Sequence, residues 1–223
     1  MDDQTRLDWR DGVPVSTRFD DPYYSLEDGL AETRHVFLRG NGLPERFRDG
    51  FHVAELGFGT GLNLLATVQA WRGAGVVGRL HYTSYELFPL AAEDMIQAQA
   101  AFPEVAEIAA ELMPYWRSGA REIVLGDLQF RLVEGDARQT VPAATTPVDA
   151  WYLDGFAPAK NPELWEPALL QAVADRLAEG GTAASYSAAG HVRRGLASAG
   201  LDVARVPGYG RKRHMTVARK DPR

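Results

Sequence analysis

From Phe51 onward the apolar positions switch repeatedly between a period of two and a period near 3.6, which predicts strands alternating with helices. HVAEL (52–56) predicts a strand. A Gly-rich turn follows, then a helix from about Leu62 to Trp71 with Leu64, Leu65, Val68 and Trp71 placed to pack. LHYTSYELF (80–88) predicts a second strand ending on Glu86. A helical stretch, DMIQAQAAF and VAEIAAELMPYW, runs to Trp116. EIVLGDLQFRLVEGDA predicts a hairpin with a Gly126-Asp127 turn, ending on Asp136. A strand over 148–153 is followed by a helix over 164–178 with Trp165, Leu169, Val173 and Leu177 on one stripe. Gly180-Gly181 is expected to stop that helix, before a fifth strand, TAASYS. AGHVRRGLASAG predicts a short helix, and LDVARV and RHMTVAR a closing antiparallel pair. Residues 1–50 lack clear periodicity and are rich in Asp, Gly, Pro and aromatics. They are expected to form an ordered extension with short strands and a helix near 29–38, packed on a single domain at 51–223.

Such alternation predicts an α/β sheet, parallel at its centre with an antiparallel edge. In such sheets ligands bind beyond the C-terminal ends of the strands. Gly57–Gly61, Glu86, Asp136 and Asp154 all fall at those ends. In ELGFGTGLN (55–63), glycine at alternate positions allows positive φ and lets backbone approach a ligand closely. The spacing is G-x-G-x-G, without the later third glycine of the dinucleotide pattern. Glu55 is placed to hydrogen-bond an amino group of a cationic ligand. Glu86 could accept both hydroxyls of an adenosine ribose, a placement that also serves NAD. Asp136 could receive an adenine amino hydrogen. In VDAWYLDGFAPAKNPELW (148–165) a buried strand ends on a carboxylate, then an aromatic ring and stiff prolines, as if carrying catalytic Asp154 to the mouth of a cofactor site.

Composition narrows the chemistry. Hydrophobic residues at 45% and charged residues at 24% fit a soluble globular domain, and the chain of 223 residues suffices for one core. With no cysteine and five scattered histidines, thiolate chemistry is excluded and no metal is expected. No apolar run long enough to span a membrane appears and the start is acidic, so a cytoplasmic location without membrane association is expected. The net charge of −6 argues against a simple nucleic-acid coat. Yet from His191 to Arg223 nine Lys or Arg face two Asp, a net +7 that leaves −13 for the first 190 residues. That asymmetry can give an acidic protein one basic face.

The Gly-rich motif and strand-end acids resemble the class I S-adenosylmethionine-dependent methyltransferases. GFGTGLN, WYLDGFAPAKNPELW, SYSAAGHVRRGLASAGLDVARVPGYGRKRHM and the N-terminal PVSTRFDDPYYSLEDGLAETRHVFLRGN together resemble, in order and over nearly the whole chain, the methyltransferase domain of the MnmC family, in a stand-alone MnmD-like form. The resemblance implies a Rossmann-like methyltransferase fold and methyl transfer to the primary amine of 5-aminomethyl-(2-thio)uridine at the tRNA wobble position. It implies cofactor contacts from Glu55, Gly57, Gly59, Gly61, Asn63, Glu86, Asp136 and Ala137. Asp154 would hold the amine and take or relay its proton, because an alkylammonium titrating near pH 10 must be neutral to attack. Phe156 would stack on the uracil or face the sulfonium. Pro158 and Pro162 would stiffen the loop, similar to the Asp/Asn-Pro-Pro-aromatic loop of other amino-methylating enzymes. Tyr23, with Tyr24 and Phe19, would belong to a lid, core packing being the competing role. Lys160, Arg193, Arg194, Arg211, Lys212 and Arg213 are candidates for tRNA phosphates. The sequence contains no second dinucleotide turn, so no flavin is expected, and a separate oxidase would supply the aminomethyl substrate. A methyltransferase for a small amine or another RNA, an NAD-dependent oxidoreductase and a binding module remain the alternatives.

Overall fold

A computed structural model describes residues 7–25 and 27–222; the acidic start at 1–6, Leu26 and the tail's Arg223 lie outside the described residues. Residues of the extension form a small antiparallel sheet, β1 (Leu7–Arg10), β2 (Val13–Ser16) and β3 (Asp21–Pro22). Helix α1 (Gly29–Thr33) starts at Asp28, whose carboxylate accepts the Ala31 amide at 2.9 Å, the usual remedy for unpaired first-turn amides. The helix expected near 29–38 is α-helical only to Thr33. Arg34–Leu38 is a π-turn, in which the Arg39 amide reaches back to the Arg34 carbonyl.

Among the described residues there are eleven strands and seven α-helices; one helix, at Ala137–Ala143, was not expected from the sequence. The main sheet is built from β4 (His52–Leu56), β5 (Leu80–Glu86), β6 (Glu122–Val124), β7 (Leu128–Glu134), β8 (Val148–Leu153), β9 (Leu177–Ser185), β10 (Asp202–Pro207) and β11 (His214–Arg219), in the spatial order β10-β11-β9-β8-β4-β5-β7-β6. The five central strands are parallel, and each edge ends in an antiparallel hairpin. The mostly parallel α/β class is therefore observed, with antiparallel strands at both edges.

Alternation along the central strands sends successive side chains to opposite faces. Val53, Tyr82, Phe130 and Tyr152 join one core with α2 (Leu62–Ala74) and α4 (Ala106–Arg117), α3 (Ala92–Gln99) lying alongside. Ala54, Leu56 and Trp151 join the other, with α5 (Ala137–Ala143), α6 (Pro167–Arg176) and α7 (Gly190–Ser198). The extension contributes to this packing: Leu30, Val36, Phe37, Leu43 and Phe47 are buried in the first of these cores.

One expectation fails. Gly180-Gly181 does not stop a helix; α6 ends at Arg176, and β9 already runs from Leu177 through both glycines. Gly180 has φ +69°, and the β8–β9 register shifts between Val148 and Ala150. A Cβ on Gly181 would stand 2.8 Å from the Ala178 carbonyl. The glycine pair therefore serves a bulge, where an extra residue needs a conformation and a closeness that side chains resist.

Strand register brings the site residues to a common height. Leu56 lies opposite Tyr85 on one side and Leu153 on the other, so the next residues, Gly57, Glu86 and Asp154, leave the sheet at one level.

Candidate active site

Gly57, Gly59 and Gly61 have φ of +83°, +52° and +76°, values that a side chain would strain. A Cβ on Gly57 would also lie 3.1 Å from the Asp154 carbonyl, so the turn and the loop after β8 meet backbone to backbone. Gly61 caps α2, and its Cβ would press on the Phe58 ring at 3.1 Å. The Glu86 carboxylate pins the turn to the end of β5. It accepts the amides of Phe58 at 3.0 Å, Gly59 at 3.2 Å and Phe88 at 2.8 Å. Burial raises its pKa, and those amides oppose the rise.

Above these strand ends lies a cavity of about 630 Å³. Of the expected cofactor residues, Gly57, Gly59, Asn63, Glu86, Asp136 and Ala137 line it. Gly61 and Glu55 do not. Gly61 shapes the turn from behind. Glu55 is 0% exposed, its two oxygens accepting Asn63 Nδ2 at 2.8 Å and Ser84 Oγ at 2.7 Å. Desolvation pushes its pKa up to about 8. Asp136 caps α5, and its carboxylate is gripped by Arg138 through the amide at 2.9 Å and Nη2 at 2.7 Å. Arg138 holds its pKa below the usual range. Its oxygens are committed to that neighbour more than to an adenine.

Asp154 reaches the cavity wall as expected. One oxygen accepts its neighbour Gly155's amide at 2.8 Å, and the other accepts Asn63 Nδ2 at 2.8 Å. Burial is the first cause of its rise to a pKa of about 6; the two hydrogen bonds pull the other way. At neutral pH Asp154 is thus mostly an anion, yet basic enough to take a proton.

Phe156 lines the cavity, but its ring is not bare: Phe19 stacks on it at 4.6 Å and Tyr23 meets it edge-on at 5.0 Å. Tyr23 also stands over the turn, 3.0 Å from where a Gly59 Cβ would lie, and burial raises its pKa. It closes the cavity against the turn more than it offers a free stacking face. Pro158 lies off the cavity wall, which Ala157 and Asn161 reach instead. Lys160 ties the loop to the extension, with its ammonium on the Asp20 carbonyl and 3.5 Å and 3.7 Å from the Asp20 and Asp21 carboxylates. Exposed though Lys160 is, its ammonium is already engaged by partners within the protein.

The basic tail divides. Lys212 lines the cavity, paired with Glu32 at 2.8 Å and 4.1 Å from the Tyr186 ring centre. Arg211 also lines the cavity, 92% exposed and paired with Glu27 at 2.8 Å, while Arg213 and Arg194 lie off its wall and are exposed. Sequence reasoning missed three residues that line the cavity. Tyr186, whose hydroxyl donates to the Gly155 carbonyl at 2.7 Å, directly follows β9, so the strand-end rule could have found it. Asp21, accepting the Ala157 amide at 2.9 Å, and Glu32 lie in the unpatterned extension, which gave no signal. Among the described residues no group of three or more His, Cys, Asp or Glu could hold a metal, and no helix is long and apolar enough to cross a membrane.

Comparison with known proteins agrees with this geometry. A family model described as S-adenosyl-L-methionine-dependent methyltransferase matches residues 103–221. Two curated relatives are each named tRNA 5-methylaminomethyl-2-thiouridine biosynthesis bifunctional protein MnmC. The one from Chromobacterium violaceum is 44% identical over 95% of this chain, and the one from Aeromonas hydrophila 43% over 96%. The chain spans only about a third of their length, 34% and 35%. The crystal structure of MNMC2 from Aquifex aeolicus is 27% identical, with a TM-score of 0.75, over 99% of this chain and 73% of that one. The chain belongs to the S-adenosyl-L-methionine-dependent methyltransferases.

Proposed function

We propose that this methyltransferase acts on the primary amine of 5-aminomethyl-(2-thio)uridine at the tRNA wobble position, giving 5-methylaminomethyl-(2-thio)uridine. The observation that carries the reading is Asp154, a basic carboxylate on the wall of the cavity that the Gly-rich turn also lines. The name of the two relatives, after 5-methylaminomethyl-2-thiouridine biosynthesis in tRNA, supports the product.

The site fits S-adenosylmethionine on its own features. Gly57 and Gly59 bring turn backbone to the cavity lining, and Glu86 presents a carboxylate beside them for hydroxyl groups. Bound there, the cofactor supplies an electrophilic methyl on a sulfonium. Asp154 accepts a hydrogen from the substrate's ammonium and takes that proton, which frees the nitrogen lone pair for the methyl carbon. Tyr186 and Asp21 hold the backbone around Asp154 and Phe156, so the carboxylate is presented in one direction. Methyl transfer changes no oxidation state, so this step needs no flavin. A separate oxidase is the proposed source of the aminomethyl group, and the cytoplasm the proposed compartment. The exposed Arg194, Arg211 and Arg213 are the proposed phosphate contacts.

The test is incubation with labelled S-adenosylmethionine and tRNA bearing 5-aminomethyluridine, followed by nucleoside digestion. Label in that one nucleoside is expected. If S-adenosylhomocysteine stabilises the fold and NAD does not, yet no tRNA nucleoside is labelled, the substrate is another amine and the tRNA assignment is wrong.

A further inference from the structure

Behind Asp154 lies a buried polar chain that proton acceptance by Asp154 does not by itself require. Asn63 is 6% exposed at the start of α2, and its amide nitrogen lies 2.8 Å from Glu55 Oε1 and 2.8 Å from Asp154 Oδ2. Its amide oxygen accepts the Thr33 hydroxyl at 2.8 Å, from the last residue of α1. Both ends of the amide therefore have partners, and its orientation is set by them. A flipped amide would set its oxygen against the Asp154 carboxylate, acceptor against acceptor. Glu55 is fixed in turn by Ser84 at 2.7 Å. Through Asn63 both the sheet interior and the N-terminal extension reach the carboxylate on the cavity wall.

We propose that Asn63 is a positioning residue for methyl transfer, its amide locked by Thr33 and Glu55 so that it fixes the Asp154 carboxylate and keeps it an acceptor. The inference rests on Asp154 being the proton acceptor. Two carboxylates sharing one amide cannot both ionise cheaply. Glu55, deeper and with the higher pKa, keeps its proton at neutral pH, and the negative charge stays on Asp154 at the cavity. The other charged groups that Asp154 feels are Glu32, which raises its proton affinity, and Lys212, which lowers it. Tyr186 and Tyr82 also face it, and burial keeps both protonated.

The experiment compares wild type, Asn63→Ala and Thr33→Val by two readouts. The first is single-turnover methylation of tRNA bearing 5-aminomethyluridine at saturating cofactor and tRNA. The second is carbon NMR titration of aspartate-labelled protein without cofactor, the Asp154 signal being identified by its loss in Asp154→Asn. Asn63→Ala is expected to lower the rate constant roughly 10–100-fold, the scale of a misplaced catalytic group. S-adenosylhomocysteine and tRNA affinities should stay within about threefold, while the Asp154 midpoint rises about half a unit or more because a donor to the charged form is gone. Thr33→Val, which removes only the outer tether, should move both readouts in the same direction by less, and it decides the matter if Asn63→Ala does not fold. Weakened cofactor affinity at an unchanged rate constant and midpoint would make Asn63 a ligand contact and overturn the proposal. If wild type transfers no methyl to this tRNA, the substrate reading fails, while the NMR midpoints still judge whether Asn63 governs Asp154.

Discussion

The cavity has a wall and a roof, and they are held by different forces. Its wall is the row of strand ends at Gly57, Glu86, Gly135 and Asp154. Backbone ladders set their level, with the Gly57 amide on the Tyr85 carbonyl and the Gly135 amide on the Glu86 carbonyl, both at 2.9 Å. The roof is formed by residues of the extension from Arg18 to Glu32 together with the loop around Lys212. Side chains hold it: the Phe19–Phe156 stack, the Arg18 guanidinium 4.1 Å from the Phe88 ring centre, the Lys160 tie, and the Glu27–Arg211 and Glu32–Lys212 pairs. The exposed pairs among these, Glu27–Arg211 above all, contribute little, about 0–1 kcal/mol each, and weaken with salt. A wall fixed by backbone suits chemistry that tolerates little displacement. A roof held by surface contacts can yield to a large substrate.

If that division is right, changes in the wall should act on the chemical step and changes in the roof on substrate affinity. The largest effect is expected for Asp154→Asn, which should lower the single-turnover rate constant about 10²–10⁴-fold while S-adenosylhomocysteine binding stays nearly intact. Full turnover in that variant would remove the proton acceptor from the wall. Glu55→Gln tests the wall's interior through stability. With its folded pKa raised from 4.5 to about 8, Glu55 stabilises the fold fully below pH 4.5 and loses that contribution as pH rises through 8. Between pH 6 and 9 wild type should therefore lose stability, on the order of a few kcal/mol, and the glutamine variant should show a flatter curve in urea titrations.

Gly57→Ala and Gly12→Ala make a matched pair. Both have positive φ, +83° and +79°, and each should cost about 1–3 kcal/mol of stability from strain. Only at Gly57 would the new Cβ meet backbone, whereas at Gly12 nothing lies within 4 Å. Calorimetry should thus find S-adenosylhomocysteine binding weakened in the first and unchanged in the second. The smallest effect belongs to the roof. Phe19→Ala removes a ring stack of about 0.5–1.5 kcal/mol and should raise the tRNA concentration needed for half-maximal rate while sparing the saturated rate constant. A collapse of that constant would mean that the roof takes part in the chemistry.

The wall was legible in the sequence because it is built from regular elements. A strand that stops at a glycine turn or an acid marks its own C-terminal end, and four such ends in one parallel sheet must face the same side. Tyr186 obeys the same rule just past the end of β9. The roof was legible only as a basic tail and a group of aromatics. Asp21 and Glu32 gain their places through contacts 136 and 180 residues away along the chain, with Ala157 and Lys212, which no local pattern encodes. Glu55 was assigned to a ligand because strand-end position alone does not say which way a side chain is spent. Asn63 and Ser84 spend it inward. Lys160 was read as a phosphate contact from its charge, and two aspartates of the extension claim that charge first. Gly180-Gly181 read as a helix stop because a bulge and a stop share the same glycines, and only the register against β8 distinguishes them.

The most direct test of the division between wall and roof is the salt dependence of single-turnover methylation of tRNA bearing 5-aminomethyluridine, measured at limiting and at saturating tRNA. The account predicts that the rate at limiting tRNA falls steeply with salt, as phosphate contacts with the basic tail are screened, while the saturated rate constant hardly changes. A salt-insensitive rate at limiting tRNA, or a saturated rate constant that falls in step with it, would contradict the account.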